Sequence, residues 1–133
     1  MSLVQWIEFQ SIGDDRGALV SLEGTKNIPF DIRRVYYMTG LDANMPRGFH
    51  AHKDLQQVII CLSGSFKLTV DDGKHRESVT LDSPAKGVLL GNMLWREMHD
   101  FSEGCVLMVV ASNYYIEDDY IRSYSDFVSL VRG

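Results

Sequence analysis

Apolar and polar positions alternate along most of this chain in short runs, each broken by glycine, proline, aspartate or serine. Leu3 to Gln10 alternates in part, with Val4, Trp6 and Ile7 apolar, and predicts a strand. The glycines and aspartates of Ser11-Ile12-Gly13-Asp14-Asp15-Arg16-Gly17 predict a loop. Ala18 to Leu22 predicts a second short strand, and Gly24 to Pro29 another loop. Ile32 to Thr39 is rich in β-branched and aromatic residues, which suit a pleated surface. Leu41 to Pro46 connects it to an extended stretch carrying His50 and His52. Gln57 to Leu62 and Ser65 to Asp71 flank Ser63-Gly64, a hairpin turn. Asp71-Asp72-Gly73-Lys74 turns again into Glu77 to Leu81, and Asp82-Ser83-Pro84 closes that strand. Gly87 to Leu90, Leu94 to His99 and Val106 to Ala111 complete the series. Turn signals about every 8–12 residues predict a sandwich or barrel. Only the tail changes period. Tyr124, Phe127, Val128 and Val131 lie at helical spacing, with Ser123 or Ser125 as cap.

A chain of 133 residues and 15.1 kDa is read as one domain, 1–133, with no internal repeat or linker. The formal charge of -5 argues against a nucleic-acid surface. A small phosphorylated ligand stays open, since a few arginines suffice to hold one. The absence of a long apolar run argues against a membrane span, and the start has no signal-peptide core. A cytoplasmic protein is expected. Two cysteines, Cys61 and Cys105, both in apolar runs, are expected to be buried thiols.

Chemistry concentrates in Pro46-Arg47-Gly48-Phe49-His50-Ala51-His52-Lys53. On a strand, residues two apart share a face, so His50 and His52 project together. Such a pair can exchange protons near neutrality or bind a metal. His75 follows a turn and should be solvated, and His99 beside Asp100 is read as structural. Arg47 and Arg16 are candidate anion binders, with a salt bridge to a nearby aspartate as the alternative. Tyr36 and Tyr37 are adjacent, so one faces the interior and the other does not.

Glycine, His-x-His and a later glycine at a hairpin, Gly64, resemble the first signature of cupin barrels. That resemblance implies an all-β fold, a cupin-type double-stranded β-helix (jelly-roll barrel), with one short C-terminal helix. Cupins that bind a metal use the two histidines, a glutamate and a later histidine. Here Gln57 and Arg96 stand at the latter two places. An amide is a poor metal ligand and a guanidinium is none.

More specifically, five segments in order resemble the nucleotide-sugar 3,4-ketoisomerases. They are Arg33-Arg34-Val35-Tyr36-Tyr37, Pro46 to Lys53, Leu81-Asp82-Ser83-Pro84, Trp95-Arg96-Glu97-Met98 and Asp119-Tyr120-Ile121-Arg122. The resemblance implies an enzyme that moves the keto group of a dTDP-4-keto-6-deoxyhexose from carbon 4 to carbon 3 through an enediol. It implies no cofactor, no metal, and deoxysugar biosynthesis for a lipopolysaccharide or surface-layer glycan. It implies a homodimer that exchanges N-terminal strands. Carried over by motif, His50 is the proton shuttle, supported by His52 and Tyr36. Arg16, Arg47, Lys53 and Arg96 are expected to bind substrate. A metal-dependent cupin enzyme and a non-catalytic sugar-binding cupin are the rival readings.

Overall fold

A computed structural model describes residues 2–133. In chain order the strands are β1 (Gln5–Glu8), β2 (Ser11–Asp14), β3 (Gly17–Val20), β4 (Arg34–Met38), β5 (Arg47–His52) and β6 (Gln57–Ser63). There follow β7 (Phe66–Asp71), β8 (Arg76–Leu81), β9 (Lys86–Leu90), β10 (Trp95–His99), β11 (Val106–Ala111) and β12 (Tyr120–Ile121). A 3-10 turn, Glu117–Asp119, precedes β12, and α1 (Tyr124–Arg132) closes the chain. One five-stranded sheet runs β1-β9-β6-β11-β4 and the other β12-β5-β10-β7-β8, with β2-β3 as a separate hairpin. Two facing antiparallel sheets with one helix are the expected jelly-roll architecture.

The core lies between the sheets. Ile59 and Cys61 from one side meet Phe66, Leu68, Val70 and Met98 from the other. β6 is buried on both faces, which explains its unbroken apolar run. Its outer residues Val58 and Ile60 are covered by Phe9, Ile28 and Phe30. Cys61 and Cys105 are buried free thiols with sulfurs 4.0 Å apart, and burial pushes the Cys61 thiol up to about 12.

α1 begins where Ser123 accepts a hydrogen bond from the Asp126 N–H, so Ser123 rather than Ser125 is the cap. Phe127, fully buried, packs with Trp95, Ala51 and Ile121 behind β5 and β10. The helix therefore supports the outer face of the strand whose inner face carries the histidines.

Two expectations are corrected. Ser11–Asp14 is a strand, and the turn is confined to Asp15-Arg16 between β2 and β3. The chain from Leu3 to Gln10 forms strand only over Gln5–Glu8, where it pairs with β9 of the same chain.

Candidate active site

The interior is apolar at one end and polar at the other, and the polar end is built from alternating positions on five strands. β5 turns His50 and His52 inward, while Ala51 faces α1. β10 contributes Arg96, paired opposite His50. β6 contributes Gln57 and β4 contributes Tyr36. β12 lies against the free edge of β5, with Tyr120 opposite His52.

A β-bulge sets the aim of the histidines. Gly48 and Phe49 both have left-handed backbones, φ 92 and φ 59, and together oppose a single step of β10. Gly48 is required there twice over. Its φ disfavours side chains, and a Cβ would lie 3.0 Å from the Arg96 carbonyl oxygen. Phe49 accepts a costly conformation and sets its ring against His99.

His50 Nδ1 lies 3.1 Å from the Gly48 carbonyl oxygen, which can only accept. The proton therefore sits on Nδ1, and Nε2 is the lone pair available in the cleft. His52 Nδ1 lies 2.9 Å from Asp119 Oδ2. The two imidazoles meet edge to face at 5.0 Å, and the Tyr120 ring covers both, at 5.1 and 4.3 Å. Burial and the Arg96 cation lower His50 to about 3 and His52 to about 4. Both rings are thus neutral at physiological pH rather than poised near neutrality as expected.

Beneath them runs one polar chain. Arg96 Nη1 donates to Gln57 Oε1 at 2.6 Å, and Gln57 Nε2 donates to the Tyr36 hydroxyl at 3.0 Å. Because that hydroxyl accepts from Gln57, its own proton is free to be donated elsewhere. Burial raises Tyr36 above the ordinary tyrosine value, so it stays protonated. Arg96, only 3% exposed, also donates from Nε and Nη2 to the Leu94 carbonyl. The residues at the cupin ligand positions do not fit a metal. Gln57 has given its oxygen to Arg96, and a permanent cation stands where a ligand would.

Above the histidines opens a cleft of about 690 Å³, lined by Arg34, Tyr36, Arg47, His50, Tyr120 and Arg122 among others. Tyr36 is the inward tyrosine, whereas Tyr37 is 70% exposed on the other face. Arg47 borders the cleft with no salt-bridge partner among the described residues, so its aspartate alternative is not realised. Arg96 is close to the cleft but buried under it.

Arg16 and Lys53 are not brought together with these groups within one chain. Arg16 is at the tip of the β2–β3 hairpin, forked onto Asp14. Lys53 follows His52 on the opposite side of β5 and borders neighbouring grooves beside Tyr120 and Asp119. Conversely, Arg34, Asp119, Tyr120 and Arg122 belong to the site although sequence reasoning gave them no role. Their recurrence in two of the ordered motifs was the available signal. His75 is exposed, and His99 is held by Glu97 at 3.0 Å, as expected.

The family described as "FdtA: WxcM-like, C-terminal" matches residues 2–132. A TDP-4-oxo-6-deoxy-alpha-D-glucose-3,4-oxoisomerase of Aneurinibacillus thermoaerophilus is 55% identical over 121 residues, 91% of this chain and 87% of that one. A sugar 3,4-ketoisomerase of Thermoanaerobacterium thermosaccharolyticum, crystallised with TDP, superposes with a TM-score of 0.95 at 46% identity, covering 97% of this chain and 94% of that one. A 3,4-ketoisomerase of Helicobacter canadensis gives 0.96 at 41% identity over the whole of both chains. Ordered motifs, fold and relatives agree, and the chain belongs to the FdtA family of cupin-fold sugar 3,4-ketoisomerases.

Proposed function

We propose that this enzyme converts a TDP-4-keto-6-deoxyhexose into its 3-keto isomer, with His50 carrying the proton from carbon 3 to carbon 4. The observation that carries the reading is the His50 ring itself. It is neutral, its Nδ1 is held by the Gly48 carbonyl, and its Nε2 lone pair stands in the cleft. Nε2 takes the carbon 3 proton, and the electrons of that bond form the carbon 3–carbon 4 double bond of an enediol. The same nitrogen returns the proton to carbon 4. Meanwhile one hydroxyl proton passes from oxygen 3 to oxygen 4. Tyr36, with its proton free, is the donor to oxygen 4, and His52, with a buried unprotonated nitrogen, is the acceptor from oxygen 3; a proton then returns from His52 to the Tyr36 oxygen, so both groups end as they began. The buried Arg96 cation favours the negative charge that grows on the sugar oxygens. No step needs a metal or a redox cofactor.

Three arginines, Arg34, Arg47 and Arg122, border the same cleft and suit a diphosphate. The relative from T. thermosaccharolyticum has been crystallised with TDP-4-keto-6-deoxyglucose in a variant with one histidine changed to asparagine. Retained binding is what loss of a proton shuttle should allow.

We infer also that the chain acts as a homodimer. The β2–β3 hairpin is a two-stranded ribbon of mostly exposed residues, with Ile12 and Leu19 each 59% exposed. Such a ribbon has little stability alone and gains it by packing on a second chain. Arg16 at its tip would then serve the partner's cleft, which reconciles its distance from its own.

The test is His50→Asn. Asparagine keeps the size but cannot titrate, and turnover should fall by about 10²–10⁴. TDP affinity should stay within a few-fold. In heavy water the wild type should place deuterium on carbon 4. Near-normal turnover of His50→Asn, with loss in Tyr36→Phe or His52→Asn instead, moves the shuttle to one of those residues.

A further inference from the structure

Asp119 has no part in the proposed chemistry, yet both of its carboxylate oxygens are held. It ends the 3-10 turn that leads into β12. Its Oδ2 lies 2.9 Å from His52 Nδ1, and its Oδ1 accepts the Asp54 N–H at 2.7 Å. Its own N–H donates to the Ile116 carbonyl at 3.1 Å, and its carbonyl accepts the Lys53 N–H at 3.0 Å. Main chain just after His52 therefore holds the residue in place, Lys53 at its carbonyl and Asp54 at its carboxylate. The Asp119 side chain is 13% exposed and that of His52 is 1% exposed.

The proton on His52 follows from these partners. A carboxylate accepts and does not donate, so Nδ1 must bear the hydrogen. Nε2 is then a bare lone pair, and it is buried without a hydrogen-bond partner among the described residues. The other tautomer would press a lone pair against the carboxylate. It would also leave a buried N–H with no acceptor, which is costly. The bare nitrogen lies under the Tyr120 ring and beside His50, both of which line the cleft.

We propose that Asp119 is the positioning residue of this active site, holding His52 as the Nδ1–H tautomer so that Nε2 is free to accept a proton inside the barrel. What His52 accepts, the sugar hydroxyl proton, rests on the ketoisomerase reading above. The tautomer itself does not.

The carboxylate also explains why asparagine is an informative replacement. In Asp119→Asn the Asp54 N–H still requires an oxygen, so the amide oxygen stays on that side. The amide NH₂ then faces His52 Nδ1 and asks it to accept. The ring must carry its proton on Nε2, the wrong atom for a base, a fault known to disable histidine bases without disturbing their geometry.

The test uses full-length protein labelled with ¹⁵N at histidine. Two-bond proton–nitrogen spectra of the unliganded wild type at neutral pH should show His52 protonated at Nδ1 and bare at Nε2. Asp119→Asn should invert that pattern. Its kcat should fall by about 10² or more, while KM and TDP affinity stay within a few-fold. Against a His52→Gln background the same change should cost almost nothing, because its effect passes through His52. A wild-type His52 protonated at Nε2 would overturn the assignment, whether or not any variant folds. So would an Asp119→Asn penalty that is undiminished in the His52→Gln background. Failure of the ketoisomerase reading would appear separately, as a wild type that does not turn over the keto sugar.

Discussion

Mild acid should destabilise this protein well before its carboxylates are protonated. Burial and the Arg96 cation hold His50 at about 3 and His52 at about 4 in the folded chain. In the unfolded chain both return to about 6.5. Between these values the unfolded state binds protons that the folded state refuses, so stability rises with pH across the window and falls as pH drops below about 6.5. At about pH 5 the cost relative to pH 8 is about 2 kcal/mol for each histidine, about 4 kcal/mol together. A domain of this size is stable by only about 5–15 kcal/mol. The lowered carboxylates, Asp72 and Glu97 among them, act in the same sense but only as pH falls below their unfolded values near 4. The range from about pH 7 to 5 therefore isolates the histidines. Urea titrations followed by tryptophan fluorescence at several pH values would measure the effect. The midpoint should fall steadily toward pH 5, and His50→Asn should remove about half of the slope. A midpoint that is flat from pH 7 to 5, or a slope unchanged by His50→Asn, would refute the claim that these rings are buried neutral.

Three further outcomes are expected. Gln57→Leu removes the partner of both Tyr36 and Arg96 and leaves a buried guanidinium N–H unsatisfied, so denaturation should show a loss of about 1–3 kcal/mol, with a lower kcat. Turnover should survive exhaustive treatment with EDTA, and activity lost to chelation and restored by one divalent ion would refute the argument from Gln57 and Arg96. Light scattering at micromolar concentration should give about twice the chain mass of 15.1 kDa, and Arg16→Ala should then weaken turnover without changing that mass; a monomer would leave Arg16 with no cleft to serve.

Much of the architecture was legible because burial follows period. β11 was bounded correctly at Val106 and Ala111, since its apolar run ends in polar turns on both sides. The histidine pair was legible from parity alone. Parity could not say which of Tyr36 and Tyr37 turns inward, because that depends on which face of β4 meets the facing sheet. β2 was hidden because Gly13 and Asp14 carry turn chemistry while pairing across to Ala18 and Gly17. β12 is two residues long, too short for any periodic signal, so Asp119, Tyr120 and Arg122 could be marked as a motif but not placed. The protonation of the histidines was misjudged for a related reason. Their low values come from an arginine on β10 and from burial, neither of which is local in sequence.

The bulge at Gly48 and Phe49 has a meaning for folding as well as for aim. A strand that slips by one residue turns every side chain to the opposite face. In β5 that error would bury Ala51 in the barrel and send both imidazoles under the helix, giving a compact protein with no working centre. Two consecutive left-handed residues, one of them against the Arg96 carbonyl, sit opposite β10 in the observed alignment, and a one-residue slip would place residues with side chains at the close approach that Gly48 makes. The bulge is thus a registration mark, which raises the energy of the alignment that would fold without a working centre.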